Sequence, residues 1–226
     1  MIKALLAILL LGSALVGCSP ATGQQDQLPG SALNDPADPL RLSEPRAIRI
    51  PSIKVDYTDD WAPLGIQGAQ RFPNSQDKTV VPVTSAKGEI EVPALDKPMQ
   101  PGWFCPTGSP VCGAPTPGDL GPAVVLAHIN GKGKQGLFAK LADIKKKDTV
   151  EIDRSDGETA RFEVYEVQIL KKKTFPTQKV YGDTTGPELR LITCGPGKLV
   201  TLPDGTRSYE NQTIIYAKLL EIKPTV

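Results

Sequence analysis

The sequence predicts a mainly β fold: a closed or nearly closed barrel of seven or eight short strands with one short helix. Three observations carry that expectation. Short apolar runs, alternating or continuous, recur at Ala123–Ala127, Thr149–Asp153, Ala160–Leu170, Glu188–Cys194 and Thr213–Leu220, and their lengths suit strands. The 226 residues include 22 prolines and 21 glycines, which mark many turns and leave little room for long helices. One segment alone, Leu137 to Ile144, spaces apolar residues as a helix does, with Leu137, Leu141 and Ile144 on one face. A chain of this length supports one sizeable core plus appendages.

The elements follow in order. Ala47 to Ile53 alternates apolar and polar residues, a half-buried strand whose Pro51 suits an edge or a bend. Residues 54–86 give broken signals such as Val80-Val81-Pro82-Val83, and Glu89–Pro93 reads as a short strand. A Pro/Gly-rich loop then runs to Gly121. Ala123–Ala127 is continuously apolar, as a buried strand is, and delivers His128 at its end. After the helix, Thr149–Asp153 and Ala160–Leu170 alternate about a turn at Ser155-Asp156-Gly157, the longer run carrying one register fault that suggests a bulge. Glu188–Cys194 is a further strand with Cys194 at its exit. Pro203-Asp204-Gly205 marks a turn, and Thr213–Leu220 is the closing strand.

The formal net charge is +1, from 26 basic and 25 acidic residues. That balance gives no reason to expect nucleic acid as a partner or steering to an anionic membrane. Lys145–Lys147 and Lys171–Lys173 read as solvated ends, and no acidic cluster argues for calcium or any other metal.

Met1–Lys3 followed by the apolar run Ala4–Val16 has the layout of a secretory leader and is short for a membrane span. It ends in Leu15-Val16-Gly17-Cys18, which resembles the bacterial lipobox, in which the cysteine is lipidated; an ordinary signal peptide or an uncleaved anchor is the alternative. Residues 1–18 are thus expected to be a lipoprotein-type signal peptide, with the remainder exported and held at the outer face of the membrane. Residues 19–44 are polar and rich in Pro, Asp, Gln and Ser, a flexible tether, and 45–226 form the folded domain.

Of the remaining cysteines, Cys105 and Cys112 lie in a turn-rich stretch of an exported chain, where a disulfide closing a small loop is the simple reading. Zinc would need further ligands. Cys194 is left over, and so is His128, the one histidine of the chain. A cysteine nucleophile needs a proton carrier for the leaving amine, and histidine is the usual one. Spacing alone leaves open a buried structural cysteine and a surface histidine.

Ala127-His128-Ile129-Asn130 and Leu191-Ile192-Thr193-Cys194 closely resemble the two signatures of the sortase family. The resemblance extends over about residues 45–222: Ile48–Ile53 is similar to the opening strand of sortases, and Pro101–Phe104, Pro117–Ala123, Phe175-Pro176 and Leu189–Gly195 resemble the class E/F branch of actinobacteria. It implies a closed eight-stranded β-barrel with one or two short helices, and an extracytoplasmic cysteine transpeptidase that needs no cofactor. Such an enzyme cleaves a sorting motif of the Leu-Pro-x-Thr-Gly kind through a thioacyl intermediate and passes the acyl group to a cell-wall or pilin amine. His128 and Cys194 are then the catalytic pair, and Arg190 and Ile192 border the substrate groove. The family also places an arginine on the last strand. Here Tyr209–Ala217 matches that strand, yet Gln212 or Glu210 fills the position; Arg207 is the nearest arginine, with Gln212 and Arg190 as alternatives. The absent arginine raises a second reading, a degenerate sortase-like lipoprotein that binds cell-surface peptides without catalysis. An L,D-type transpeptidase fits less well, because its signature sets glycine directly before the cysteine.

Overall fold

The strand-forming runs pair into one open, curled sheet. The structure, a computed structural model, describes residues 43–58, 61–64, 92–105, 114–201, 205 and 207–226. All of them lie in the compact unit Pro39–Val226. The strands are β1 Pro45–Ile50, β2 Val55–Thr58, β3 Ala62–Leu64, β4 Gly102–Phe104, β5 Gly121–Leu126, β6 Asn130–Gly131, β7 Lys134–Gln135, β8 Thr149–Arg154, β9 Glu158–Lys171, β10 Pro187–Cys194, β11 Leu199–Thr201, β12 Arg207–Tyr209 and β13 Asn211–Pro224. Among the described residues nine of these form a sheet in the order β2-β1-β8-β9-β13-β10-β5-β4-β3, while β6–β7 and β11–β12 are separate hairpins.

The expected closed eight-stranded barrel is therefore corrected to a nine-stranded half-barrel. Closure requires the first and last strands to hydrogen-bond. Here the edge strands β2 and β3 each pair with one neighbour, β1 and β4 respectively, and not with each other.

The expected helix at 137–144 is a turn followed by a single 3-10 turn, Leu141–Asp143. Its spacing reports burial correctly: Leu137, Phe138, Leu141 and Ile144 all sit in the core. In segments this short, tertiary packing rather than apolar spacing decides the backbone. The α-helix that does form, α1 Thr177–Tyr181, is one that the sequence does not signal. Of the strand expected at Glu89–Pro93, Val92 and Pro93 are described and neither is in a strand; Val80–Val83, Pro203 and Asp204 lie outside the described residues. The register fault in β9 is a bulge. Tyr216 opposes Glu166 and Ala217 opposes Val164, so Tyr165 is the extra residue.

Alternation gives the sheet two faces. One carries Ile48, Ile50, Val125, Val150, Ile152, Phe162, Leu189, Leu191 and Ile215, packed against Leu137, Phe138 and Leu141. The other carries Val124, Ile192, Ile214 and Tyr216, covered by Val180 of α1. On this second face Lys179 binds Glu166 at 2.6 Å and lies over the Tyr216 ring, while Tyr181 packs against Phe104 and Phe175.

The start of the folded region is tied by ion pairs. Ser43, which is buried, donates to Asp156 at 2.5 Å and accepts from Arg154, while Arg49 forks onto Asp153. The Arg49 hydrogen bonds hold Asp153 below the usual carboxylate range. At Asp156 burial pushes upward, but the hydrogen bonds from Arg154 and Ser43 outweigh it and the carboxyl is lowered too. A depressed folded-state pKa contributes stability that is full above the unfolded value of about 3.9 and is lost as pH falls through the folded value. The urea midpoint is expected to hold down to about pH 5 and to fall below about pH 4. Asp156→Asn should lower the midpoint at neutral pH and flatten the acid limb, as read by urea titration at successive pH values.

Candidate active site

The two strands that end in the candidate pair are neighbours. β5 and β10 run parallel, in register from Gly121 opposite Pro187 to Leu126 opposite Ile192. Each then continues for two residues, to His128 on one and Cys194 on the other, so both exits open at the same end of the sheet. The exits are bolted together: Ala127 N–H donates to the Ile192 carbonyl at 3.3 Å, and the Thr193 hydroxyl donates to the Ala127 carbonyl at 2.7 Å. On the far side of β10, Cys194 stands directly opposite Gln212 of β13.

The face follows from alternation. On β10, Leu189 and Leu191 belong to the main core, while Ile192 belongs to the cluster under α1. Cys194 therefore falls on the α1 side, and its cross-strand partner Gln212 shares that face. On β5, Val125 belongs to the main core and Val124 to the α1 side; the strand ends at Leu126, and His128 follows two residues later with its ring on the Pro93 carbonyl.

Each of the three has a defined setting. His128 and Cys194 are half-buried, and Cys194 is the free cysteine among the described residues. The His128 Nε2 lies 2.6 Å from the Pro93 carbonyl oxygen, and the His128 carbonyl accepts from Phe138 N–H at 3.1 Å. After Cys194 the chain turns away through Gly195, whose φ of +77° suits glycine. Gly195 N–H donates to the Asn211 carbonyl, and the Thr213 hydroxyl donates to the Gly195 carbonyl, both at 2.8 Å. Gln212 is 8% exposed, and its Nε2 is buried with no hydrogen-bond partner. A buried amide donor without a partner is costly, of the order of 1–3 kcal/mol, and so calls for an explanation.

Gly136 holds the histidine segment from behind. A Cβ there would meet the His128 carbonyl oxygen at 2.1 Å and the His128 carbonyl carbon at 2.6 Å, both backbone atoms that cannot swing aside. Gly136→Ala is expected to cost at least about 2 kcal/mol and to displace His128. Thermal unfolding and alkylation of Cys194 by iodoacetamide, each measured on wild type and variant, read the two effects.

The other sequence candidates are spread more widely. Arg190, 2% exposed, lies two residue pairs back along β10, about 13 Å from Cys194 by strand rise. It pairs with Glu188 at 2.6 Å and stacks 4.8 Å from the Tyr216 ring centroid. Glu188 also accepts from Tyr165, whose hydroxyl is pushed up to about 12 by burial first and by that carboxylate second. Ile192, 6% exposed, lies between Arg190 and Cys194 on the same face. Arg207 is exposed on the β11–β12 hairpin, opposite Thr201. Cys105 is fully buried just after β4, whereas Cys112 and Cys18 lie outside the described residues.

Sequence reasoning misses three parts of the site. One is Pro93, whose contact with His128 spans 35 positions. Another is the Asn130–Tyr209 hydrogen bond, 2.8 Å, which ties the β11–β12 hairpin to the segment after His128. The third is α1, five residues long and too short to show a period. Among the described residues no group of three or more His, Cys, Asp or Glu side chains is placed to hold a metal ion.

A family model described as Sortase domain matches residues 78–220, well over half of the chain. No curated protein sequence matches significantly. Among solved structures, sortase A of Listeria monocytogenes is 12% identical, with 82% of this chain and 92% of that one covered and a TM-score of 0.50. The lid mutant of sortase A from Corynebacterium diphtheriae is 17% identical, covering 82% and 76% at a TM-score of 0.49. Sortase C-1 of Actinomyces oris is 18% identical, covering 77% and 73% at 0.47. At such identity the Listeria structure speaks to fold alone.

Proposed function

The chain belongs to the sortase family, a family of extracytoplasmic cysteine transpeptidases, and from that membership we propose that it cleaves a Leu-Pro-x-Thr-Gly-like sorting motif and transfers the acyl fragment to a cell-wall or pilin amine. The observation that supports this reading is the parallel pairing of β5 with β10, whose ends lead within two residues to His128 and Cys194, with Gln212 opposite Cys194 on β13. The Cys194 thiolate attacks the scissile carbonyl, and the carbonyl oxygen becomes an oxyanion. Collapse breaks the C–N bond as imidazolium His128 gives its proton to the departing amine, leaving a thioester on Cys194. The acceptor amine then attacks the thioester, its proton passes to His128, and the thiolate leaves.

In this mechanism Gln212 supplies the donor to the oxyanion. It is opposite Cys194, and its Nε2 proton has no other partner. Such a donor acts by being positioned before the charge develops. Arg207 is exposed on its hairpin, and Arg190, four residues before Cys194, is engaged by Glu188. Arg190 and Ile192, 2% and 6% exposed, support the groove from beneath rather than line it. Resemblance to the class E/F branch, a Cys105–Cys112 disulfide, lipidation of Cys18 and residence at the outer face of the membrane complete the reading.

A second reading, a sortase-like lipoprotein that binds cell-surface peptides without catalysis, is favoured by one feature: a neutral amide opposite Cys194 where the family pattern has a cation. Chromatography of a sorting-peptide panel incubated with the protein and an amine separates the two. Cleaved and amine-coupled products support the enzyme; binding of a peptide with every peptide left intact supports the binder.

A further inference from the structure

The His128 ring is held by a main-chain oxygen. Its Nε2 is 2.6 Å from the carbonyl of Pro93. A carbonyl oxygen only accepts, so at this separation Nε2 must carry the proton. In a neutral imidazole the lone pair is then on Nδ1. We propose that the Pro93 carbonyl is the positioning group of the site, fixing the Nε2–H tautomer of His128 and confining proton exchange to Nδ1. The inference rests on His128 being the proton carrier proposed above.

The segment that bears this carbonyl is anchored where it needs to be. Between Val92 and Gln100 the inward residues are Pro93, Pro98 and Gln100, while Ala94, Leu95, Asp96 and Lys97 are exposed. Two turns shape it, with Lys97 N–H on the Ala94 carbonyl at 3.0 Å and Gln100 N–H on the Lys97 carbonyl at 2.9 Å. The Pro98 carbonyl accepts from Leu137 N–H at 3.0 Å, one residue before the Phe138 that holds the His128 carbonyl. A Cβ on Gly131 would meet the Leu95 carbonyl oxygen at 2.4 Å, so the segment also lies close on the β6–β7 hairpin. Proline at 93 fixes φ and so restricts the backbone just before the carbonyl that meets the ring.

The chemistry follows. Throughout both half-reactions Nε2–H stays on the Pro93 oxygen. Nδ1 alone gains the proton from the incoming amine and loses it to the departing one. The arrangement does for this histidine what a buried carboxylate does in a Ser-His-Asp triad, setting tautomer and orientation. It does so without a negative charge.

The chain has one histidine, so a long-range 1H–15N spectrum of the 15N-labelled full chain reads a single imidazole. The expected result, above the pH at which the ring is neutral, is a protonated Nε2 and an unprotonated Nδ1. A dominant Nδ1–H tautomer would overturn the inference. Replacing Ala94 by its α-hydroxy analogue turns the Pro93 carbonyl into an ester carbonyl, a weaker acceptor with the side chain unchanged. That change should mix the tautomers and lower kcat about tenfold, the effect of about one neutral hydrogen bond, with KM unchanged. An ester variant that keeps both the wild-type tautomer ratio and the wild-type kcat would also overturn it. The tautomer readout needs no substrate, so failure of every peptide as a substrate would count against the proposed function and not against this assignment.

Discussion

Replacing His128 by alanine should lower kcat/KM for peptide transfer by about a thousandfold or more, with the fold retained. The leaving group is an amine, which departs poorly without a proton, and the chain has no second histidine to supply one. Among the described residues the ring makes one hydrogen bond, to Pro93. The local main chain is held by Ala127 N–H on Ile192 and by Phe138 N–H on the His128 carbonyl, both of which survive the substitution. The loss of one hydrogen bond, about 1 kcal/mol, predicts a fall in Tm of only a few degrees. Steady-state kinetics beside a thermal melt checks both halves. A variant that is folded and retains more than about a tenth of wild-type activity would remove His128 from the proton path.

Gln212→Ala is the second large effect, an expected fall in kcat of about two to three orders of magnitude with little change in KM. The amide is 8% exposed and its Nε2 has no partner in the resting protein, so its donor is available to the oxyanion and to nothing else. Removing it also removes an unsatisfied buried group, so stability should hold or rise. That pairing of slower turnover with equal or greater stability marks a functional donor, since a structural hydrogen bond would lose both. Arg207→Ala is the control, and its exposed position predicts turnover within about threefold of wild type, the range of a lost surface charge. The opposite ranking, with Arg207→Ala crippled and Gln212→Ala active, would transfer the role to the arginine.

The longer strands are legible in the sequence because they rest on local signals, whereas His128 and Cys194 are singled out by the family resemblance and not by spacing. Ala123–Ala127 is apolar on every residue because β5 is buried on both faces of the sheet. The alternation of Ala160–Leu170 carries even the bulge at Tyr165. What is illegible is non-local. Whether β2 meets β3 depends on curvature summed over a whole sheet, and no local run encodes it. Leu137, Leu141 and Ile144 announce burial at a helical period, but a segment so short chooses its backbone from what it packs against. Gln212 is named in the sequence only through the resemblance of Tyr209–Ala217 to the family's last strand, as an alternative to Arg207; the register adds that it stands opposite Cys194. Pro93 acts through a backbone oxygen, which side-chain patterns cannot reveal.

The most direct test of the central claim is the intact mass of the protein mixed with a Leu-Pro-x-Thr-Gly-type peptide in the absence of an amine. The account predicts an added mass equal to the acyl fragment ending at threonine, located on Cys194, discharged by an added amine, and absent from Cys194→Ala. No adduct with a folded wild-type protein across a broad peptide panel, or an adduct that persists in Cys194→Ala, would contradict it.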